Sequence, residues 1–408
     1  MWRSIYPQVY YRLLLLFCIL GAIHFIYNPE FTQGDGVYGM PDLVRYLELI
    51  EGGAFIFGGW LSLRIRAVKM GLFGAAFVML VGQLILKFPV SPISWTASVV
   101  LFSAGYSFIY IHLLVHTATL FPIANDRKDF AYVLLIVLGE LFKFLFSMIN
   151  QFLTSQPGLP TLLLILFYVL LFWLIAREQD IGFSIETESE EEPEQPINLL
   201  LPIVMAIIFL FGVLTLNWRL KTPGYEHLTD SLIYGAINRG INIFFISNLI
   251  ALGLLFIAIK NWRERAGQLT YILGALAVLL FFAVVGGGNS WDFYFLSILA
   301  HSWVWRIFFL GIAVSVICHA GFDASLGLKL GLFFGLMNIL NFGIIQLIPD
   351  PTWGRIALIL TIAPLIILIH ENRKLLTAYL KLDEPAFEVE IETPKEDAHS
   401  DPFNHLIT

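Results

Sequence analysis

The feature that most constrains this chain is the recurrence of apolar runs, each about 17 to 25 residues long and each ended by proline, glycine or a cluster of charge. As a helix, such a run crosses the roughly 30 Å hydrocarbon layer of a bilayer. Within that layer a helix closes its backbone hydrogen bonds inside its own segment, which a loop or an open strand cannot do. The runs predict spans at 8–27, 42–62, 69–88, 94–118, 130–153 and 159–176, then at 198–217, 238–259, 268–287, 292–318, 328–347 and 354–371. The expectation is an all-α polytopic membrane protein with 12 transmembrane helices, six plus six. Composition agrees: only 13% of residues are charged, against about 25% in soluble domains.

Charge sets the organisation. About half of the 31 acidic residues fall in two short stretches, Glu178 to Glu194 and Asp383 to Asp401, so the net charge of −7 does not belong to the apolar body. Nothing in it points to nucleic acid. Both stretches are polar and nearly free of aromatics, the composition of solvated connectors. The chain divides into an N-terminal six-helix bundle (1–177), an acidic cytoplasmic linker (178–197), a C-terminal six-helix bundle (198–372) and an acidic cytoplasmic tail (373–408). Alternate loops carry Arg64, Arg66 and Lys69; Arg127 and Lys128; Arg177; Lys260, Arg263 and Arg265; Lys329; and Arg373 and Lys374. Basic loops stay inside, which places both termini and the linker in the cytoplasm; Arg219, Lys221 and Arg239 are exceptions. Compactness suggests a bacterial plasma (inner) membrane. The N-terminal run has arginines but no small-residue cleavage site after it, so it is expected to stay as the first span. Cys18 and Cys318 lie in apolar runs and read as packing residues.

The segment GGWLSLRIRAVKMGLFGA, between the second and third spans, has a counterpart in LFIAIKNWRERAGQLTYILGA, between the eighth and ninth. Two such halves joined by a cytoplasmic linker resemble the major facilitator superfamily. Gly59, Arg64, Arg66 and Lys69 match that superfamily's motif between helices 2 and 3. Its loop aspartate is missing, with Ser62 or Leu63 near its place, so anchoring by the basic residues is the role carried over. Gly58 and Gly59 permit close helix contact. A narrower similarity is to the proton-dependent oligopeptide transporters. It rests on Gln8-Val9-Tyr10-Tyr11-Arg12-Leu13 at the spacing of their first-helix ExxERF pattern, on GGW followed by MGLFGAAFVMLVGQLIL, on RKDFAYVLLIVLGEL and on INIFFISNLIALGLLF. Arg12 survives from that pattern; Gln8 and Tyr11 replace its two glutamates, so the proton-coupling role that they carry in the family does not transfer.

Ionisable residues inside a membrane face the bundle interior, because lipid offers them no partner. In the fifth span Glu140 and Lys143 share a face at i,i+3, either as a structural pair or as a substrate-binding one. In the second span Arg45, Glu48 and Glu51 step along one stripe, with Arg45 available to Glu48 and Glu51 left as the deeper carboxylate and a coupling candidate. His301 and Arg306 in the tenth span offer a titratable group and an anchor for a carboxylate or phosphate. His112 and His116, at i,i+4 in the fourth span, lack a third ligand and read as hydrogen-bonded rather than metal-binding. Trp95, Trp218, Trp262, Trp291 and Trp353 read as interfacial belts.

The functional expectation is a secondary active transporter, not an enzyme, that moves a small polar solute by alternating access in symport with protons; a peptide or amino-acid derivative fits charges of both signs at membrane depth. The alternative is a transport-inactive scaffold or assembly factor that retains the fold. No cofactor or metal is expected. The lipid bilayer and the solute, with protons, are the expected partners, and the oligomeric state is open.

Overall fold

The protein is described by a computed structural model covering residues 6–27, 46–65, 68–85, 91–120, 159–177 and 325–347, with isolated positions at 132–142, 199–206 and 313–318. Every regular element among them is helical. They are α1 (Tyr6–Tyr27), α2 (Leu47–Ser62), α3 (Val68–Ile85), α4 (Pro92–Leu120), α5 (Leu159–Arg177) and α6 (Leu326–Leu347). These six match the first four, the sixth and the eleventh of the predicted spans to within a few residues. Their residues are apolar on all sides, which suits helices with protein on one face and lipid on another. α3 and the stretch Pro92–Ala118 of α4 are each long and apolar enough to cross a membrane.

One predicted boundary moves. α2 starts at Leu47 behind a turn at Tyr46 rather than near residue 42, so Arg45 precedes the helix and lies outside the described residues. Glu48 then sits in the first turn, where a carboxylate meets the positive end of the helix dipole.

α4 is the central post. It packs against α1, α2, α3 and α6, and its Val99, Phe102, Phe108, Ile109, Ile111 and Leu114 are almost fully buried. Trp95 is buried too, in the first turn of α4, so it packs in the protein rather than joining an interfacial belt. Small residues allow the close approaches. A Cβ on Gly82 would sit 2.8 Å from the Phe102 nitrogen, and one on Gly21 would sit 2.6 Å from the carbonyl oxygen of Gly139.

Buried hydroxyls in α4 find their acceptors in backbone carbonyls. Ser98 donates to Gly82 O at 2.6 Å, Ser107 to Ala54 O at 2.8 Å and Thr117 to Leu113 O at 2.8 Å. The opposite faces of α3 and α5 carry the exposed Met70, Phe77 and Leu84, and Leu162, Ile165, Leu166, Val169 and Trp173. Such apolar exposure on a packed bundle is the lipid-facing surface expected of a membrane span.

The tightest contact joins α2 to α6, an element of the predicted second half. Gly52 and Gly59 of α2 face Gly327, Gly331 and Gly335 of α6, three glycines at steps of four that bring the backbones into contact. A Cβ on Gly59 would lie 2.7 Å from Gly327 O and 2.9 Å from Gly331 Cα; one on Gly331 would lie 2.5 Å from Phe55 O. The seam runs from Gly52 to Ser62, about 15 Å along the axis. Gly58 turns to the other side, where a Cβ would meet Ser107 Oγ at 3.0 Å, so the paired glycines fit one helix between two neighbours. Lys329, expected in a cytoplasmic loop, is the fourth residue of α6 and is buried, because the helix begins two residues before the predicted span.

Candidate functional site

Which way Glu51 points follows from the exposure pattern of α2. Tyr46, Leu49, Gly53, Phe57 and Trp60 are exposed and fall on one stripe at helical spacing. At about 100° per residue, Glu51 lies about 160° round the helix from Gly53. It therefore points away from lipid, between the faces that meet α4 and α6. Glu48 projects to the same inward side and is half-buried.

Glu51 meets His24 of α1. The imidazole Nε2 lies 3.8 Å from Glu51 Oε1, with the two side chains 25% and 27% exposed. That is ion-pair range when His24 carries a proton, and too long for a direct hydrogen bond. Among the described residues no hydrogen-bond donor reaches the Glu51 carboxylate. The Coulomb attraction at this separation is about 4 kcal/mol at an effective dielectric of about 20. A lone carboxylate at the centre of a membrane helix costs about 2.5–3.5 kcal/mol on insertion scales, and a cationic partner offsets part of such a cost.

Below the pair runs a column of rings. Phe102, Tyr106 and Tyr110 follow one another at i,i+4 on α4, with centroids 6.1 Å and 5.7 Å apart. His24 lies over Tyr106 at 4.6 Å. Phe55, one turn below Glu51, meets Tyr106 edge-on at 6.3 Å and stacks on Phe334 of α6 at 5.3 Å. Phe334 also meets Tyr110 at 90° and 5.3 Å, and Phe17 of α1 meets Tyr110 at 5.1 Å. Offset and edge-to-face pairs of this kind add about 0.5–1.5 kcal/mol each beyond their area. The column ties α1, α2, α4 and α6 together directly beneath the acid.

Of the predicted site residues, the structure therefore brings Glu51 and Glu48 to one inward face. Arg12 lies near the other end of α1, about 18 Å from His24 along the axis, half-buried and not part of this cluster. Glu140, Lys143, His301, Arg306 and Arg66 lie outside the described residues. Gly59 belongs to the α2/α6 seam. Arg64 is exposed, its guanidinium 5.7 Å from the Trp60 ring, while Lys69 stands in the first turn of α3 rather than in the loop and donates from Nζ to Ala176 O at 2.6 Å. There a cation satisfies a carbonyl in the last turn of α5, where the dipole favours positive charge. Arg177 lies 5.1 Å from the Trp173 ring, so the basic groups at this end of the bundle are anchored by aromatic faces and helix ends.

His112 and His116 are buried in α4, and His112 Nδ1 is 2.9 Å from Phe108 O. Among the described residues no group of three or more His, Cys, Asp or Glu could hold a metal ion. Cys18 and Cys318 are free and buried. His24 is the residue that the sequence did not single out. It sits in an apolar run with no charge beside it, and its relation to Glu51 is across two helices.

No protein-family model matches the chain, and no curated protein matches it in sequence. Solved structures do match. A bacterial homologue of the iron transporter ferroportin in its outward-facing state superposes with a TM-score of 0.61 at 16% identity, covering 92% of this chain and 99% of that one. The major facilitator superfamily transporter FucP in the outward conformation gives 0.60 at 13% identity, covering 90% and 99%. The human organic anion transporter MFSD10 (TETRAN) gives 0.57 at 16% identity, covering 90% and 100%. The chain has the major facilitator fold and is an integral membrane protein. The narrower similarity to oligopeptide transporters rests on the sequence segments alone.

Proposed function

We propose that the protein is a secondary active transporter that carries a small polar solute across the bacterial inner membrane by alternating access, with proton coupling and with both termini in the cytoplasm. The observation that carries this reading is the inward-facing Glu51 and His24 pair, placed over rings drawn from both predicted halves. A carboxylate and an imidazole at membrane depth are the groups a proton-coupled carrier needs. The α2/α6 seam supports it, because two halves that rock against each other need one contact they can keep throughout. The solved relatives are named for iron and for organic anions, and one fold hosts many cargoes. The solute is therefore argued from charges of both signs at membrane depth, which suit a peptide or amino-acid derivative.

The test is uptake of labelled solutes, dipeptides included, into proteoliposomes with and without an inward proton gradient. Proton-stimulated uptake that falls to background in Glu51→Gln is the expected result. No uptake of any candidate by folded protein would turn the reading toward a scaffold.

A further inference from the structure

We propose that the groove between α3 and α5, at the end of the bundle where Lys69 and Arg177 meet, binds an anionic phospholipid, its phosphate on the two cations and an acyl chain along the helices. The proposal goes beyond the transporter reading and stands whether or not the protein carries a solute. Lys69 in the first turn of α3 reaches the last turn of α5, where its Nζ donates to Ala176 O at 2.6 Å, beside Arg177 in the chain. An ammonium has further N–H donors to give, and a guanidinium offers a phosphate two parallel ones. Arg177 is exposed, with its guanidinium 5.1 Å from the Trp173 ring. Trp173 is itself exposed on the apolar face, and tryptophans at such helix ends sit at the level of lipid head groups. Among the described residues the carboxylates are Glu48 and Glu51 near the start of α2, about 15 Å or more along the axis from its Ser62 end. Two cations at the membrane interface with no described acid beside them complement a lipid of net negative charge.

Below the cations the surface is shaped for a chain. Phe73 of α3 and Phe172 of α5 stack with centroids 6.0 Å apart and planes 11° from parallel, and both pack against the core, so they form the floor. Met70 and Phe77 on α3, and Val169 and Trp173 on α5, are strongly exposed. At helical spacing these stripes stand about 50–80° round from the two floor rings, which makes them the walls. From Lys69 to Ile85, α3 runs about 24 Å, longer than the roughly 15 Å of hydrocarbon in one leaflet. A phosphate held at Lys69 therefore has a full acyl chain's length of helix beneath it. The lipid comes from the leaflet that meets this end of the bundle, the cytoplasmic one in the orientation proposed above, whose anionic head groups draw basic side chains. The rival for the two cations is the acidic stretch that follows Arg177 in the sequence, Glu178 to Glu194; cations held by it would give an anionic lipid no advantage.

Full-length protein in detergent, checked for folding by size exclusion and a cooperative thermal transition, is given equal amounts of phosphatidylglycerol and phosphatidylcholine with the same acyl chains. Native mass spectrometry reads which lipid stays bound. A cation near a membrane surface favours an anionic lipid by about fivefold. The expected preference for phosphatidylglycerol is thus on the order of 25-fold for the pair. It should fall about fivefold in Arg177→Gln and in Lys69→Gln, which keeps an N–H for Ala176 O, and nearly vanish in the double variant. Arg64→Gln removes the same charge from the exposed end of α2, a helix that packs on α4 and α6 rather than on α3 or α5, and should leave the preference unchanged. No preference in the unmodified protein overturns the site. So does a loss in Arg64→Gln as large as that in Arg177→Gln, the mark of a diffuse basic surface. Displacement of the lipid by an equal concentration of water-soluble glycerol phosphate overturns the groove, because a chain that adds nothing to binding is not held there.

Discussion

Replacing Gly59 with alanine, beside the same change at Gly53 six residues earlier on α2, isolates what the α2/α6 seam contributes. Both substitutions raise helix propensity, by about 0.5–1 kcal/mol. Around Gly53 a new Cβ meets nothing within 4 Å, so that gain stands and Gly53→Ala is expected to be neutral or slightly stabilising. At Gly59 the Cβ falls 2.7 Å from Gly327 O, 2.9 Å from Gly331 Cα and 3.2 Å from Leu328 Cα. All three are backbone atoms, and none can swing aside as a side-chain end would. The helices have to part by the order of 0.5–1 Å, a gap that forfeits a quarter to a half of the contact attraction where it opens. Overpacking of this kind costs about 1–3 kcal/mol, so the two variants should differ by about 2 kcal/mol or more. SDS titration or thermal unfolding followed by tryptophan fluorescence reads the difference. Gly59→Ala as stable as Gly53→Ala would refute a backbone-to-backbone seam.

Other expectations follow from single contacts. Gly331→Ala, whose Cβ would meet Phe55 O and Gly59 Cα, should lose stability about as much as Gly59→Ala. A double variant should cost less than the sum, since one separation relieves both; a thermodynamic cycle on the four proteins checks this. Ser107→Ala removes a hydrogen bond to Ala54 O and should cost below about 1 kcal/mol, as such bonds do in membrane proteins, measured in the same unfolding assay. Phe334→Ala removes the ring that meets both Phe55 and Tyr110 and should destabilise by about 3–5 kcal/mol, with Phe334→Leu intermediate. Cys18 and Cys318, both buried, should resist a bulky maleimide in the folded protein and react together once it is unfolded in SDS.

What was legible in the sequence was one-dimensional. A run of apolar residues long enough to cross a bilayer gives a helix wherever it occurs, so α1 and α3 to α6 stand close to the predicted bounds. The start of α2 moved because the predicted span was opened directly after Pro41 and so took in two charged residues, Asp42 and Arg45, that stand before the helix. Glu51 stands out in the sequence because a carboxylate in such a run costs free energy. His24 was missed because it stands in an apolar run with no charge beside it, and its meaning comes from a partner on another helix. The seam had a visible signal in Gly327, Gly331 and Gly335, spaced by four, yet their partner on α2 lies far away along the chain. Lys69 and Lys329 were placed in loops by their charge, whereas a helix end and a packed interface hold them.

The glycine seam also sets a timetable. α2 carries Gly52, Gly53, Gly58 and Gly59, and α6 carries Gly327, Gly331, Gly335 and Gly343, each a position that weakens a helix standing alone. Gly59 and Gly331 are separated by roughly 270 residues, so at about 5–20 residues per second α2 leaves the ribosome on the order of 15–50 s before its partner exists. Through that interval its Gly52 and Gly59 face lacks the helix that covers it in the folded protein. Newly made protein caught before α6 emerges is then the form most open to quality-control proteases, and α2 is where they should first cut.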